Sequence, residues 1–124
     1  MKTLRVLTLM LAISVVAGCQ STSGTTASGA AAGAVRFVGS TNADDVLKTD
    51  ALGVIRLVAR AKGCDAITQV DTAVVSYEPR TGVKGHIWGQ ERWVAKGCGS
   101  AYPFRVEFSE DGGGGTFFAV STEQ

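Results

Sequence analysis

The sequence predicts an α+β fold in which one amphipathic helix packs on an antiparallel sheet of three to five strands. Three observations carry this expectation. Apolar residues recur at helical spacing between Leu47 and Ala61. The stretch "AITQVDTAVVSY" is dense in β-branched residues, and "YPFRVEF" places Tyr102, Phe104, Val106 and Phe108 at alternate positions.

The chain opens with Lys2 and Arg5, and an apolar run extends from Val6 to Ala17 before the composition turns small and polar. Residues 1–18 therefore have the form of a cleaved signal peptide. The run is shorter than the about 18 apolar residues that a membrane-crossing helix needs, and it ends without a basic stop. At its end, Val16-Ala17-Gly18-Cys19 resembles the bacterial lipobox, the signal at which a cysteine is acylated and the preceding peptide removed. Small side chains before the bond let a peptidase approach, and the thiol accepts lipid. The resemblance implies lipidation of Cys19 and a mature chain tethered to a membrane. Each buried acyl methylene contributes about 0.8 kcal/mol, and firm anchoring needs more than one chain. In Gram-negative lipoproteins an aspartate after the cysteine commonly marks inner-membrane retention; Gln20 stands there instead. The resemblance therefore implies the outer membrane, on its periplasmic face.

From Gln20 to Ala34 the chain is almost wholly Ser, Thr, Gly and Ala, too poor in large apolar groups to offset the entropy of ordering. Residues 19–34 are expected to form the lipidated cysteine and a flexible tether, and residues 35–124 one small periplasmic domain. The full chain has 12 Lys and Arg against 11 Asp and Glu, and removal of Lys2 and Arg5 leaves the mature chain at −1. With the basic residues scattered, no nucleic-acid partner is implied.

Within the domain, Val35-Arg36-Phe37-Val38 is a short β-favouring run and a possible extra strand. Ser40, Thr41 and Asn42 then offer capping side chains, and Asp44 and Asp45 suit a helix N-terminus, so the helix is expected to begin near Ala43. Leu47, Ala51, Val54, Ile55, Val58 and Ala61 fall along one face. Arg56, Arg60 and Lys62 complement the C-terminal dipole, and Gly63 closes a helix of about 20 residues whose weak point is Gly53. "AITQVDTAVVSY" reads as a strand ended by the turn cluster Glu78-Pro79-Arg80-Thr81-Gly82. A second strand runs from His86 to Lys96, with Glu91, Trp93 and Ala95 pointing one way. Trp88 and Trp93 are an odd number apart, so only a bulge or a late strand start lets them share a face. The third run turns Tyr102, Phe104, Val106 and Phe108 to the core, and Pro103 suggests an edge strand or a strand start. "EDGGGG" leads into a last strand, Thr116 to Ser121, that hairpins with its predecessor.

Lipidation of Cys19 leaves Cys64 and Cys98, an even remainder that in an exported protein reads as one disulfide. A reactive or metal-binding pair would need close spacing or nearby histidines, and neither is present.

No catalytic constellation emerges. His86 is the sole histidine, and a triad with Asp71 or Asp111 and Ser100 or Ser109 has no motif behind it. The carboxylate pairs Asp44-Asp45 and Glu110-Asp111 sit at a helix start and a turn, and Asp111 to Gly115 reads as a hairpin turn because a phosphate loop needs a succeeding helix with Lys and Ser or Thr. No metal site, cofactor or small-molecule substrate is indicated. Of the two tryptophans, at least one is expected in the core, and an exposed one is a candidate partner anchor.

With those residues placed, "ERWVAKGCG", the aromatic strand and "DGGGGTFF" resemble a pattern of small uncharacterised proteobacterial outer-membrane lipoproteins, over roughly Gly63 to Val120. "ARAKGCDAITQV" is similar to the helix-to-strand corner of the Rcs-pathway sensor lipoproteins, whose further cysteines and proline-rich tether are absent here. These features together lead to the expectation of a non-catalytic, lipid-anchored envelope protein of binding or structural role, with an envelope-protein or cell-wall partner. The alternatives are an inhibitor of a hydrolase such as lysozyme and an envelope stress sensor.

Overall fold

The computed structural model describes residues 33–124; the expected signal peptide, Cys19 and most of the expected tether lie outside the described residues. The elements are β1 (Arg36–Gly39), α1 (Asp45–Ala61), β2 (Ile67–Tyr77), β3 (Ile87–Gly97), β4 (Ser100–Glu110) and β5 (Thr116–Thr122), and the strands form one sheet in chain order. β2 to β5 are a meander of antiparallel neighbours, whereas β1 runs parallel to β2, with Phe37 opposite Val70. The expectation of an antiparallel sheet is corrected on this point: the sheet is mixed. The cause lies in the connection, because α1 carries the chain from the end of β1 back to the start of β2, and such a crossover delivers parallel strands.

Asp44 caps α1, its side chain accepting from the Leu47 backbone N–H at 2.8 Å, with Asp45 in the first turn. Ser40, Thr41 and Asn42 do not cap it. At the other end Gly63 takes a φ of +89°, the left-handed conformation that ends helices, and Cys64 N–H returns to the Ala59 carbonyl at 2.9 Å. The face buried against the sheet is Ala51, Leu52, Ile55 and Ala59. It is rotated slightly from the expected one: Val54 is only half-buried and Ala61 is exposed. Gly53 lies on the solvent side, where a Cβ would meet nothing. Gly53→Ala is therefore expected to stabilise the domain by about 0.5–1 kcal/mol, read as a higher urea midpoint at unchanged slope.

Trp93, Phe104, Phe108, Val70 and Val106 fill the core beneath Ile55, and Phe37 meets Trp93 edge-on at 5.5 Å. Glu91, Trp93 and Ala95 do point one way, into this core. Of the edge strand or strand start that Pro103 suggested, the edge is excluded, because β4 is an interior strand, and Pro103 lies toward the start of that strand. The β4–β5 ladder ends at the Phe104–Thr122 pair, and the Pro103 carbonyl accepts from Glu123 N–H just past the end of β5, so the missing N–H falls where the ladder has ended.

β3 and β4 are joined by a two-residue turn, Cys98-Gly99, with φ of +53° and +70°. Cys98 is the one non-glycine among the described residues at positive φ, as a hairpin of this twist requires. From that turn it is bonded to Cys64 at the helix-to-strand corner, with Cα atoms 5.7 Å apart.

Candidate functional site

Two buried carboxylates organise the ends of the loops that cross the core face. Glu91, fully buried on β3, accepts from the Thr41 hydroxyl at 2.7 Å, the Asn42 backbone N–H at 2.6 Å and Trp93 Nε1–H at 2.7 Å. Glu110, at the end of β4, accepts from the Thr81 hydroxyl at 2.9 Å and from the N–H groups of Thr81 and Gly82 at 2.8 Å each. In both places the threonine oxygen also accepts from the N–H two residues on, Ala43 or Val83. The same device, a threonine and its successor held on one carboxylate, thus pins the β1–α1 loop and the β2–β3 loop. Hydrogen bonding of this completeness is what permits a carboxylate to be buried. It also explains why Thr41 and Asn42 are not helix caps.

Burial pushes the Glu110 carboxyl up. The N–H groups of Thr81 and Gly82, the Thr81 hydroxyl and the Arg80 guanidinium outweigh it, and hold the group below its ordinary value of 4.5. Because the folded value is the lower one, Glu110 contributes stability that is present above the unfolded value and lost as pH falls through the folded one. The stability difference between the wild type and Glu110→Gln is therefore expected to be full at pH 7 and to shrink below about pH 4. Asp71 behaves alike, held low by hydrogen bonds from Lys96 and Gln69. A difference that stays constant with pH would show that the Glu110 charge is not what the loop uses.

Arg80 links this network to the end of the sheet. It lies 3.5 Å from Glu110, donates to the carbonyls of Gly114 and Gly115 at 3.1 and 2.6 Å, and stacks 5.6 Å from the Trp88 ring. Asp111 in turn accepts from the N–H groups of Gly113 and Gly115, which shapes the glycine turn as a hairpin connection. Trp88 is stacked on Phe108 at 5.2 Å and meets Tyr77 edge-on at 6.2 Å. A bulge between Ile87 and Gly89 turns it to the core side.

Neither tryptophan is therefore a surface anchor. Trp93 is fully buried and Trp88 is 6% exposed, so the core expected to hold at least one of them holds both, and neither is the candidate anchor that an exposed one would be. Besides Val38, Val46, Leu57 and Val74, the exposed large apolar groups are Val75 (66%), Tyr77 (58%) and Val83 (63%), with Ile87 and Phe117. These five belong to the end of the sheet where β2 leaves, β3 enters and β5 begins; Tyr77 is in register with Phe108 on the helix-bearing face, and Ile87 and Phe117 with Ser109 on the opposite one. The N-terminus of α1 reaches the same end, since Asp44, Val46 and Asp50 line a cavity with Arg80 and the Gly114-Gly115 turn. This end is also acidic: Asp44, Asp45, Asp50, Glu78, Glu110 and Asp111 stand against Lys48, Arg80 and Lys84. Sequence reasoning missed it, because Val75 and Tyr77 look like core positions of a β-branched strand. Val75 falls in the register shift between Val74 and Ser76, which takes it out of the alternation, and Tyr77 is the last residue of β2.

The His86 carbonyl accepts from the Glu110 N–H at 2.9 Å, which puts His86 beside Ser109 and Asp111, but no side-chain hydrogen bond among the described residues links the residues considered for catalysis. His86 Nε2 lies 3.2 Å from the Pro79 carbonyl, Asp71 pairs with Lys96 on the outer face, Asp111 shapes the glycine turn, and Ser100 sits at the opposite end of β4 from Ser109. Among the described residues no group of three His, Cys, Asp or Glu is placed to hold a metal ion, and no helix is long and apolar enough to cross a membrane. No protein-family model, curated protein or solved structure matches the chain.

Proposed function

We propose that this protein is a lipid-anchored component of a bacterial cell envelope, of binding rather than catalytic role, that meets a protein partner through the end of its sheet bearing Val75, Tyr77, Val83 and Phe117. The observation that carries the reading is the exposure of these apolar groups on an end made rigid from beneath by Glu110, Arg80 and Trp88. Exposed aromatics on a preorganised support are the usual anchors of protein interfaces. The lipobox-like Val16-Ala17-Gly18-Cys19 and the tether supply the address, with the outer membrane and its periplasmic face as the proposed location.

A photo-crosslinking residue in place of Tyr77 or Phe117 is expected to yield a discrete adduct in intact cells. The same residue at Thr68 or Ser121, each exposed and toward the other end of its strand, is expected to yield none. Equal yields from all four positions, or none from any, would remove this surface from the reading. The acidic character of the same end favours a second reading, inhibition of a basic hydrolase such as lysozyme. A turbidity assay in which the protein leaves lysozyme unimpeded eliminates it.

A further inference from the structure

The charges of the domain are sorted along the strands, and the basic pole is the one that carries the tether. α1 runs from the acidic end of the sheet to the end where β2 begins, and its last turns present Arg56, Arg60 and Lys62, all exposed. Among the described residues no ion pair engages any of the three. Between the two arginines Leu57 stands 64% exposed on the solvent side of the helix. Arg56 and Arg60 also line a cavity of about 390 Å³ together with Gly33 and Ala34, where the tether enters the domain, and the acidic group there is Asp65.

We infer that this pole is a membrane-docking surface: Arg56, Arg60 and Lys62 engage the phosphates of anionic phospholipids while Leu57 enters the headgroup boundary. Basic side chains flanking an exposed aliphatic one are the elements of interfacial binding. The acidic pole is repelled by the same surface and turns away from it, which presents Tyr77 and Phe117 to the periplasm. The orientation rests on the lipid-anchored reading of the chain. The segment before the domain, almost wholly Ser, Thr, Gly and Ala, has no side chains that would impose it.

Acetylation of lysines by an activated ester, with detection by mass spectrometry, reads the orientation on the full-length lipidated protein. Lys62 and Lys84 are both exposed and stand at opposite poles, so each is the control for the other. In vesicles of phosphatidylethanolamine and phosphatidylglycerol, Lys62 is expected to react about fivefold more slowly relative to Lys84 than in phosphatidylcholine vesicles. High salt and Arg56→Glu/Arg60→Glu are each expected to abolish the difference, the substituted side chains having no partner to lose. An unchanged Lys62 to Lys84 ratio in the two lipids overturns the proposal, as does a slowing that survives charge reversal. Finding no acyl group on Cys19 in the same spectra refutes the anchor separately, and the ratio measured with added vesicles still decides the pole.

Discussion

Glu91→Ala is expected to destabilise the domain by about 3 kcal/mol at neutral pH, a loss measured as a lowered urea midpoint. The substitution strips three donors of their common acceptor: the Thr41 hydroxyl, the Asn42 N–H and the Trp93 indole N–H. Hydrogen bonds to a charged acceptor are each worth about 1.5–3 kcal/mol, and water reaching the cavity restores part of the loss, so the net sits below their sum. The β1–α1 loop should loosen with it, because Asn42 and Thr41 hang on that carboxylate. Glu91→Gln keeps the shape yet turns an NH2 group toward donors, and it should fall between the wild type and the alanine variant. A loss below about 1 kcal/mol in Glu91→Ala would mean that the donors find other partners and that the buried carboxylate is not the clamp described.

Opening the Cys64–Cys98 bond is expected to cost about 4 kcal/mol, the chain-entropy value for a separation of 34 residues. For a domain of this size that is a large share of the about 5–15 kcal/mol that stabilises folded proteins. Cys98 adds a local reason, since it occupies a left-handed hairpin position that glycine or asparagine fills more easily. The measurement is the urea midpoint with and without reductant, in the wild type and in Cys64→Ser/Cys98→Ser. Reductant should lower the midpoint of the first to that of the second and leave the second unmoved. A wild type indifferent to reductant would show that the cross-link is dispensable.

The features legible in the sequence were those that a period or a local turn encodes. The α1 span, the aromatic alternation of β4 and the glycine turn each announce themselves within a dozen residues. The cysteine pairing came from an even remainder. The direction of β1 was not legible, because a four-residue strand carries no mark of its partner, and only the crossover through α1 sets it parallel. Trp88 was ambiguous for a related reason: its face depends on a bulge that forms against β4. Alternation puts Glu91 on one face with Trp93 and Ala95, but its donors on the β1–α1 loop lie about 50 residues away, and a carboxylate facing the core gives no signal of who meets it. The exposure of Val75 is not legible because it depends on a register shift that forms only against β3, not on any polarity of the residue.

The most direct test of the anchored binding module is the intact mass of the native protein extracted from bacterial envelopes, combined with sequencing of its N-terminal peptide. The expected product begins at Cys19, carries acyl groups on that cysteine, and is lighter by two hydrogens for the bond between Cys64 and Cys98. A mature end with a bare thiol, or a chain that retains Met1 and the apolar run after it, contradicts it.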